Sequence, residues 1–425
     1  MPNPIVADVL ATALLGGAPD AAHAADRAAY VLGRRARWIR QLAERFTETF
    51  SGATRPRVCD VVAFLWDDED FRRHARKLQV RHWLSEPEQM RPVAAAASWD
   101  LPRIESAGAL AAWLGISIDE LVWFADLKDL NRRHPSGRVS HYHYQTRIKR
   151  SGTIRLIESP KPRLKQMQRQ ILAHVLNRIP PHRAVQGFVR GRSIRSFAAP
   201  HTGRRVVLRM DLADFFPSFR GARVQAMFRT IGYPERVADL LGGLCTNAAP
   251  TPTFEARQLY GHPHLPQGAP TSPALANTCF YRIDCRLAGL AQAAGAGYTR
   301  YADDLAFSGD SDFDRAVERF ATHVAVLLSE EGFTVNHRKT RIMRQGVRQR
   351  LTGLVTNARL NVPRADFDRL KATLTNCVRH GPAAQNRDEV PDFRAHLQGR
   401  IAFVESVNQS KAARLRALFN QIAWP

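Results

Sequence analysis

Apolar residues along this chain recur with two periods. Leu164, Met167, Ile171, Val175, Leu176 and Ile179 fall at helical spacing, with Arg163, Lys165, Arg169 and Arg178 on other faces, and Pro180-Pro181 ends the run. Just before it, Thr146–Lys149 and Thr153–Ile157 flank Ser151-Gly152 and predict a hairpin, whose second strand Ser159-Pro160-Lys161-Pro162 breaks. Val206–Met210 predicts a short strand that is apolar except for Arg209. Gly297–Tyr301 and Leu305–Ser308 predict a second hairpin turning at Ala302–Asp304. Helical periodicity returns over Phe313–Leu328, a strand over Phe333–Asn336, and helices after Pro363 that carry Arg369, Lys371, Lys411, Arg414 and Arg416. Upstream, residues 1–95 read as mostly helical, with a basic run at Arg34, Arg35, Arg37 and Arg40 and an apolar patch Val61–Trp66 followed by Asp67, Asp68, Glu69 and Asp70. Ala94–Ala97 before Asp100 and Pro102 marks a boundary, and Ile104–Asp126 predicts two short helices around Gly115. Helices, then mixed elements, then helices make an α+β protein.

Charge narrows the choice of partner. The 425 residues carry 62 Lys and Arg against 39 Asp and Glu, a net +23, in an otherwise ordinary globular composition of 44% hydrophobic residues. A polyanion is the simplest partner, and nucleic acid the commonest polyanion. No apolar run approaches the ~20 residues of a spanning helix. Ile5–Ala18 contains Asp8 and follows no basic segment, so it reads poorly as a signal peptide; a cytoplasmic protein without a membrane partner is expected. Five scattered cysteines without a Cys-x-x-Cys pair argue against a disulfide framework or a zinc site. His141/His143 and His262/His264 lack acidic or cysteine partners at metal-ligand spacing and are expected to be surface or loop residues.

Two acidic positions stand out: Asp211 at the end of the apolar strand, and Asp303-Asp304 at the tip of the second hairpin. Carboxylates at the ends of core strands are costly unless something positive neutralises them. A pair of divalent ions ~3.5–4 Å apart would do so while activating a hydroxyl and stabilising a leaving oxygen. Alone, an Asp-Asp pair is a turn, because Asp favours turns. Its ordered company separates the two readings.

That company is Arg155–Leu172, Gly187-Phe188-Val189-Arg190-Gly191-Arg192-Ser193, Asp211–Phe219, Leu265-Pro266-Gln267-Gly268-Ala269-Pro270-Thr271-Ser272-Pro273, Tyr301-Ala302-Asp303-Asp304, Gly332–Lys339 and Leu351-Thr352-Gly353-Leu354. The set resembles the reverse transcriptases, in the family's order. Leu351-Thr352-Gly353, Phe197-Ala198-Ala199-Pro200-His201 and Leu397–Val404 followed by Asn408 resemble elements of the bacterial retron subfamily, with Leu for Val in the first and Phe for Asn in the second.

The resemblance implies a right-hand polymerase: a helical extension of unknown role over 1–95, fingers and palm over 96–345, and the end of the palm with a basic helical thumb over 346–425. It implies RNA-directed DNA synthesis, with Asp211, Asp303 and Asp304 as catalytic carboxylates. These three and the Leu212 carbonyl would hold two Mg²⁺ ions, for which Mn²⁺ is a substitute. Arg155, Phe216, Gln267, Gly268 and Lys339 would form the nucleotide site, with Lys149 a further finger cation. Phe216 would fill the space of a ribose 2′-hydroxyl. Gly187, Arg192, Ser193, His201, Thr352 and Gly353 would lie along RNA. The implied partners are a structured non-coding RNA that serves as template and primer, its DNA product, dNTPs and, in antiphage defence, usually a separate effector protein. Priming from an internal 2′-hydroxyl would leave branched RNA–DNA. A group II intron-type enzyme is the alternative, disfavoured because the sequence ends soon after Leu351-Thr352-Gly353; a diversity-generating enzyme is disfavoured by Ser272-Pro273. An untemplated polymerase stays open. A non-catalytic RNA-binding relic would be marked by a missing carboxylate, and none of the three is missing.

Overall fold

The computed structural model of the chain describes residues 4–16, 20–51, 56, 58–84, 89–130, 140–148, 154–250 and 258–424. Lys149 and the turn at Ser151-Gly152 lie outside them. The chain divides into two units, Met1–Gln89 and Met90–Pro425. Ala94–Ala96 is a single 3₁₀ turn in the second unit, where the Arg91 amide donates to the Gly232 carbonyl at 2.8 Å.

The first unit contains helices Pro4–Leu15, Ala21–Leu32, Arg37–Thr49, Val58–Asp67 and Glu69–Ala75. Their apolar faces close on Leu10, Ile39, Leu42, Val61, Leu65 and Phe71, all buried. Asp20 and Asp68 cap two of these helices by accepting from the amides of His23 and Phe71, which satisfies donors that a first turn leaves unpaired.

In the second unit a hairpin of β1 (Tyr142–Ile148) and β2 (Ile154–Pro160) precedes helix Pro162–His174. Ser159-Pro160 does not break β2. Pro160 is the last residue of a two-stranded ribbon, opposite Tyr142, where a missing N–H is tolerated. Pro162 then opens the helix at a position that needs no amide donor. The helix is shorter than its periodicity predicts, and Leu176–Arg178 continues as a 3₁₀ turn, yet all six periodic apolar residues are buried.

The main sheet is antiparallel, in the order β4 (Gly297–Tyr301), β5 (Asp304–Gly309), β3 (Val206–Ala213), β6 (Thr334–Val335), with β7 (Arg341–Arg344) also on β3. Strand β3 runs past Met210 because Leu212 and Ala213 pair with Val335 and Thr334. Asp211 therefore lies inside the strand rather than at its end. Val206, Leu208 and Phe307 share a core with helix Ser311–Glu330, which contributes Phe313, Val317, Phe320, Val324 and Leu328. Val207 and Ala306 face a second core with β8 (Arg350–Leu351), β9 (Leu354–Val355) and helices Arg364–His380, Phe393–Val407 and Gln409–Phe419. The five cysteines form no disulfide. Among the described residues no single helix is long and apolar enough to cross a membrane.

Candidate active site

Register brings the carboxylates together. Asp211 on β3 is the direct partner of Asp304 on β5, and directly opposed residues of an antiparallel pair project from the same face. Asp303 precedes them at the tip, where Ala302 takes φ 54°, and the Leu212 amide donates to the Asp303 carbonyl at 3.0 Å. Burial, then the charges of Asp211 and Asp304, push the Asp303 carboxyl up to about 6. Asp304 is also raised, chiefly by burial, against the opposing effect of Arg209. Arg209 Nε and Nη2 donate to its Oδ1 at 2.9 and 2.7 Å. Lys339 Nζ lies 3.0 Å from both oxygens of Asp211, and Asn336 Nδ2 donates to Oδ1 at 3.1 Å.

Two of the three carboxylates thus have a cation of their own. As they stand, no three His, Cys, Asp or Glu side chains among the described residues are gathered for a metal. The donor set nonetheless fits a hard divalent ion, since it consists of carboxylate oxygens.

A buried guanidinium holds the hairpin. Arg300 is fully buried. Its Nε and Nη2 donate to Asp284 Oδ1 and Oδ2 at 2.8 and 2.7 Å, and Tyr298 Oη donates to Oδ1 at 2.8 Å. Arg300 Nη1 donates to Asn277 Oδ1 and to the Ala302 carbonyl at 3.1 and 3.2 Å, directly behind the acidic tip. Asn277 Nδ2 donates to the Gly187 carbonyl at 3.0 Å. Gly187 abuts the hairpin so closely that a Cβ would meet the Ala302 nitrogen at 2.7 Å. Its glycine character thus answers a packing need.

The other expected RNA residues are distributed unevenly. Arg192 braces its own loop by donating to the carbonyls of His182, Arg183 and Val185. Exposed Ser193 caps helix Ile194–Ala198. His201 is not at the surface. It is fully buried, with its ring nitrogens 2.7 Å from the hydroxyls of Ser308 and Thr299, and burial pushes its imidazole down to about 3. It is a neutral pin between the 199–201 turn and the sheet, and the expectation that it contacts RNA is corrected. Thr352 (φ 44°) and Gly353 form the turn between β8 and β9.

On the nucleotide side, the Glu158 amide donates to the Gln267 carbonyl at 2.9 Å. A Cβ on Gly268 (φ 141°) would meet the Glu158 carbonyl oxygen at 2.7 Å. Glu158 and His264 are fully buried and joined Oε2 to Nε2 at 2.8 Å, with Asn247 Nδ2 donating to Oε1 at 2.7 Å. His141 is buried too, with Nε2 2.9 Å from the Trp123 carbonyl. Both histidines are buried loop residues outside the helices and named strands, while His143 and His262 are exposed, so the four meet the expectation of surface or loop residues. Phe216 is half-buried, its ring centroid 5.5 Å from that of Phe215 and 6.2 Å from that of exposed Phe188. Arg155 is exposed on β2.

The sequence reading missed Asn336, Arg300–Asp284 and Glu158–His264, and noted Arg209 only as an interruption. A charge inside an apolar strand was the available signal for Arg209. The Glu158–His264 pair spans 106 positions and left none.

The family model for "Reverse transcriptase (RNA-dependent DNA polymerase)" matches residues 148–363, half of the chain. The chain is 43% identical over 323 residues to the retron Mx65 reverse transcriptase of Myxococcus xanthus, covering 75% of this chain and 72% of that protein. This chain belongs to the bacterial retron reverse transcriptases. The retron Mx162 enzyme of the same organism is 39% identical, covering 76% and 68% of the two chains. The retron Ec86 enzyme of Escherichia coli is 30% identical, covering 62% and 74%. Among solved structures, Candida albicans telomerase with a fragment of telomeric RNA matches at TM-score 0.36 and 10% identity, over 64% of this chain and 54% of that one. A foamy viral protease-reverse transcriptase with double-stranded DNA matches at 0.33 and 15%, over 79% and 50%. The chain thus spans about half the length of these two solved chains. As a retron reverse transcriptase it is an RNA-directed DNA polymerase of right-hand fold. Asp211, Asp303, Asp304 and Lys339 all lie inside the matched residues, and the Met1–Gln89 unit lies outside them.

Proposed function

We propose that this enzyme copies a structured non-coding RNA into branched RNA–DNA, priming from an RNA 2′-hydroxyl, and acts in antiphage defence with a separate effector protein. The observation that carries the chemistry is the register that sets Asp211 on β3 directly opposite Asp304 on β5, with Asp303 beside it in the hairpin turn. The identity to retron enzymes supports the choice of template. On this reading the β1–β2 hairpin belongs to the fingers, the five-stranded sheet is the palm and the helices after Pro363 are the thumb. Asp211, Asp303, Asp304 and the Leu212 carbonyl hold two divalent ions, Mg²⁺ or in its place Mn²⁺. When bound, these supply Lewis-acid activation of the attacking hydroxyl and charge stabilisation of the leaving pyrophosphate.

The chain's own residues do the positioning. Arg209 and Lys339 hold two carboxylates in place and limit their mutual repulsion. Arg155 offers a guanidinium fork to the triphosphate. Gln267 and Gly268 bring backbone close to the nucleotide. Thr352, Gly353 and the 187–193 loop, with its exposed Phe188, lie along RNA. Phe216 fills the space a ribose 2′-hydroxyl would need, so Phe216→Ala admits ribonucleotides. Incorporation of dNTP and rNTP on one template measures this, and an unchanged ratio in the folded variant returns Phe216 to core packing.

Purification from the native host in high salt tests the whole proposal. A net charge of +23 binds many nucleic acids, and that share of affinity falls steeply with salt. A folded cognate RNA, recognised also by shape and 2′-hydroxyls, survives. One defined RNA is expected, which after dNTP addition carries DNA joined at an internal 2′-position and released by debranching enzyme. Heterogeneous nucleic acid, or products grown only from 3′ ends, would sink the branched-product reading and leave the polymerase intact.

A further inference from the structure

The Met1–Gln89 unit carries a surface that neither the family match nor the polymerase chemistry uses. Helix Ala21–Leu32 ends at Gly33, whose amide donates to the Tyr30 carbonyl, and the next amide, Arg34, donates to Ala29. The 81–84 segment returns to this helix end, with the amides of Arg81 and His82 both donating to the Val31 carbonyl at 2.8 and 3.2 Å. The return stacks the His82 ring on Tyr30, with centroids 4.6 Å apart and planes 28° apart. Both rings sit at the surface, Tyr30 53% exposed, and the neighbouring Trp83 is 67% exposed. Arg34, Arg35 and Arg81 are exposed around them.

A protein gains nothing by leaving an indole in water beside a stacked ring pair. Trp38 and Phe71 are buried in the core of the same unit, whereas these three rings lie together at its surface. Flat rings interleaved with guanidinium groups suit a strand that alternates bases with phosphates. Every base has a π-face to lay on an aromatic ring, and each phosphate pairs with a cation. Duplex nucleic acid hides its base faces and gains only from the charges.

We propose that Tyr30, His82 and Trp83, with Arg34, Arg35 and Arg81, form a binding site for single-stranded nucleic acid, separate from the polymerase site. The strand is either RNA beyond the copied region or newly made DNA, and both present unstacked bases and phosphates.

The test uses the full chain and two probes, an oligoribonucleotide and an oligodeoxyribonucleotide, each carrying 5-bromouracil bases. Ultraviolet cross-links to both probes, or to one, at Tyr30 or the 81–84 segment support the site and identify its strand. The double variant Tyr30→Ala/Trp83→Ala is expected to lose those cross-links and to bind the cross-linking strand about tenfold more weakly. Trp83→Phe, which keeps a ring, should retain most of the affinity. Activity on a pre-annealed template-primer stays at the wild-type level in both variants, and far-ultraviolet circular dichroism and a melting profile that match the wild-type chain show that the Met1–Gln89 unit is folded. Unchanged single-strand affinity in the double variant overturns the proposal. So does an equal loss of duplex binding, which would reduce the patch to charge, or a changed oligomeric state without a change in affinity, which would make it a protein-binding surface.

Discussion

Asp303→Asn abolishes DNA synthesis and at the same time raises the melting temperature in a chelating buffer near neutral pH. Both results follow from one carboxyl group. Burial and two neighbouring carboxylates push it up to about 6, from an ordinary 3.8. Between these values the folded chain holds a proton that the unfolded chain has lost, so its stability falls as pH rises through this window, and the loss is complete above it. About two pH units at ~1.4 kcal/mol each set an upper bound of ~3 kcal/mol on what a neutral amide in its place recovers. The melting-temperature gap between variant and wild type therefore closes on acidification toward the ordinary carboxylate range. Added Mg²⁺ raises the wild-type melting temperature, because a ligand of the native state stabilises it, and raises that of the variant less. RNA affinity, spread over many Lys and Arg contacts, stays nearly intact. Synthesis within tenfold of wild type, with Mg²⁺ or Mn²⁺, contradicts the assignment of Asp303.

The second large effect belongs to a residue that touches no substrate. Asp284→Asn leaves the Arg300 guanidinium fully buried without its carboxylate, and breaking a buried pair from one side costs about 3–5 kcal/mol. A large fall in the urea midpoint is expected. Removing both charges, as in Asp284→Asn with Arg300→Met, recovers part of that fall, because the uncompensated charge goes with the second change. The same pair holds the Ala302 carbonyl, so the double variant remains slow in synthesis even where its midpoint recovers. A double variant with wild-type turnover would show that the clamp serves stability alone.

These two residues mark what the sequence made legible. Asp303 was readable because its signal is local: two carboxylates in a turn between apolar strands, at a fixed place among other motifs. The strands of that hairpin were readable for the same reason, since alternation and turn chemistry act over a few residues. Asp284, Arg300, Glu158, His264 and His201 were not. Each owes its role to a partner reached through tertiary packing, and a lone charged or imidazole side chain in a sequence looks the same whether it faces water or a buried counterpart. The extent of β3 shows a milder form of this limit. Asp211 reads as a terminator until, within the strand, Lys339 is seen to neutralise it and Asn336 to donate to it from more than a hundred positions away. Pro160 is the converse, a residue with a strong local meaning that its place at the ribbon's end cancels.

The close approaches at Gly187 and Gly268 also govern how this polymerase can be re-engineered. At both positions the smallest possible side-chain atom would come within 2.7 Å of backbone, nitrogen of Ala302 in one case and oxygen of Glu158 in the other. Backbone cannot rotate aside as a side chain can. A saturation library that includes these two sites will therefore return glycine there as stringently as it returns the aspartates, although neither glycine performs chemistry. Side-chain variation is tolerated more readily at half-buried Phe216 and exposed Phe188, whose rings reach solvent.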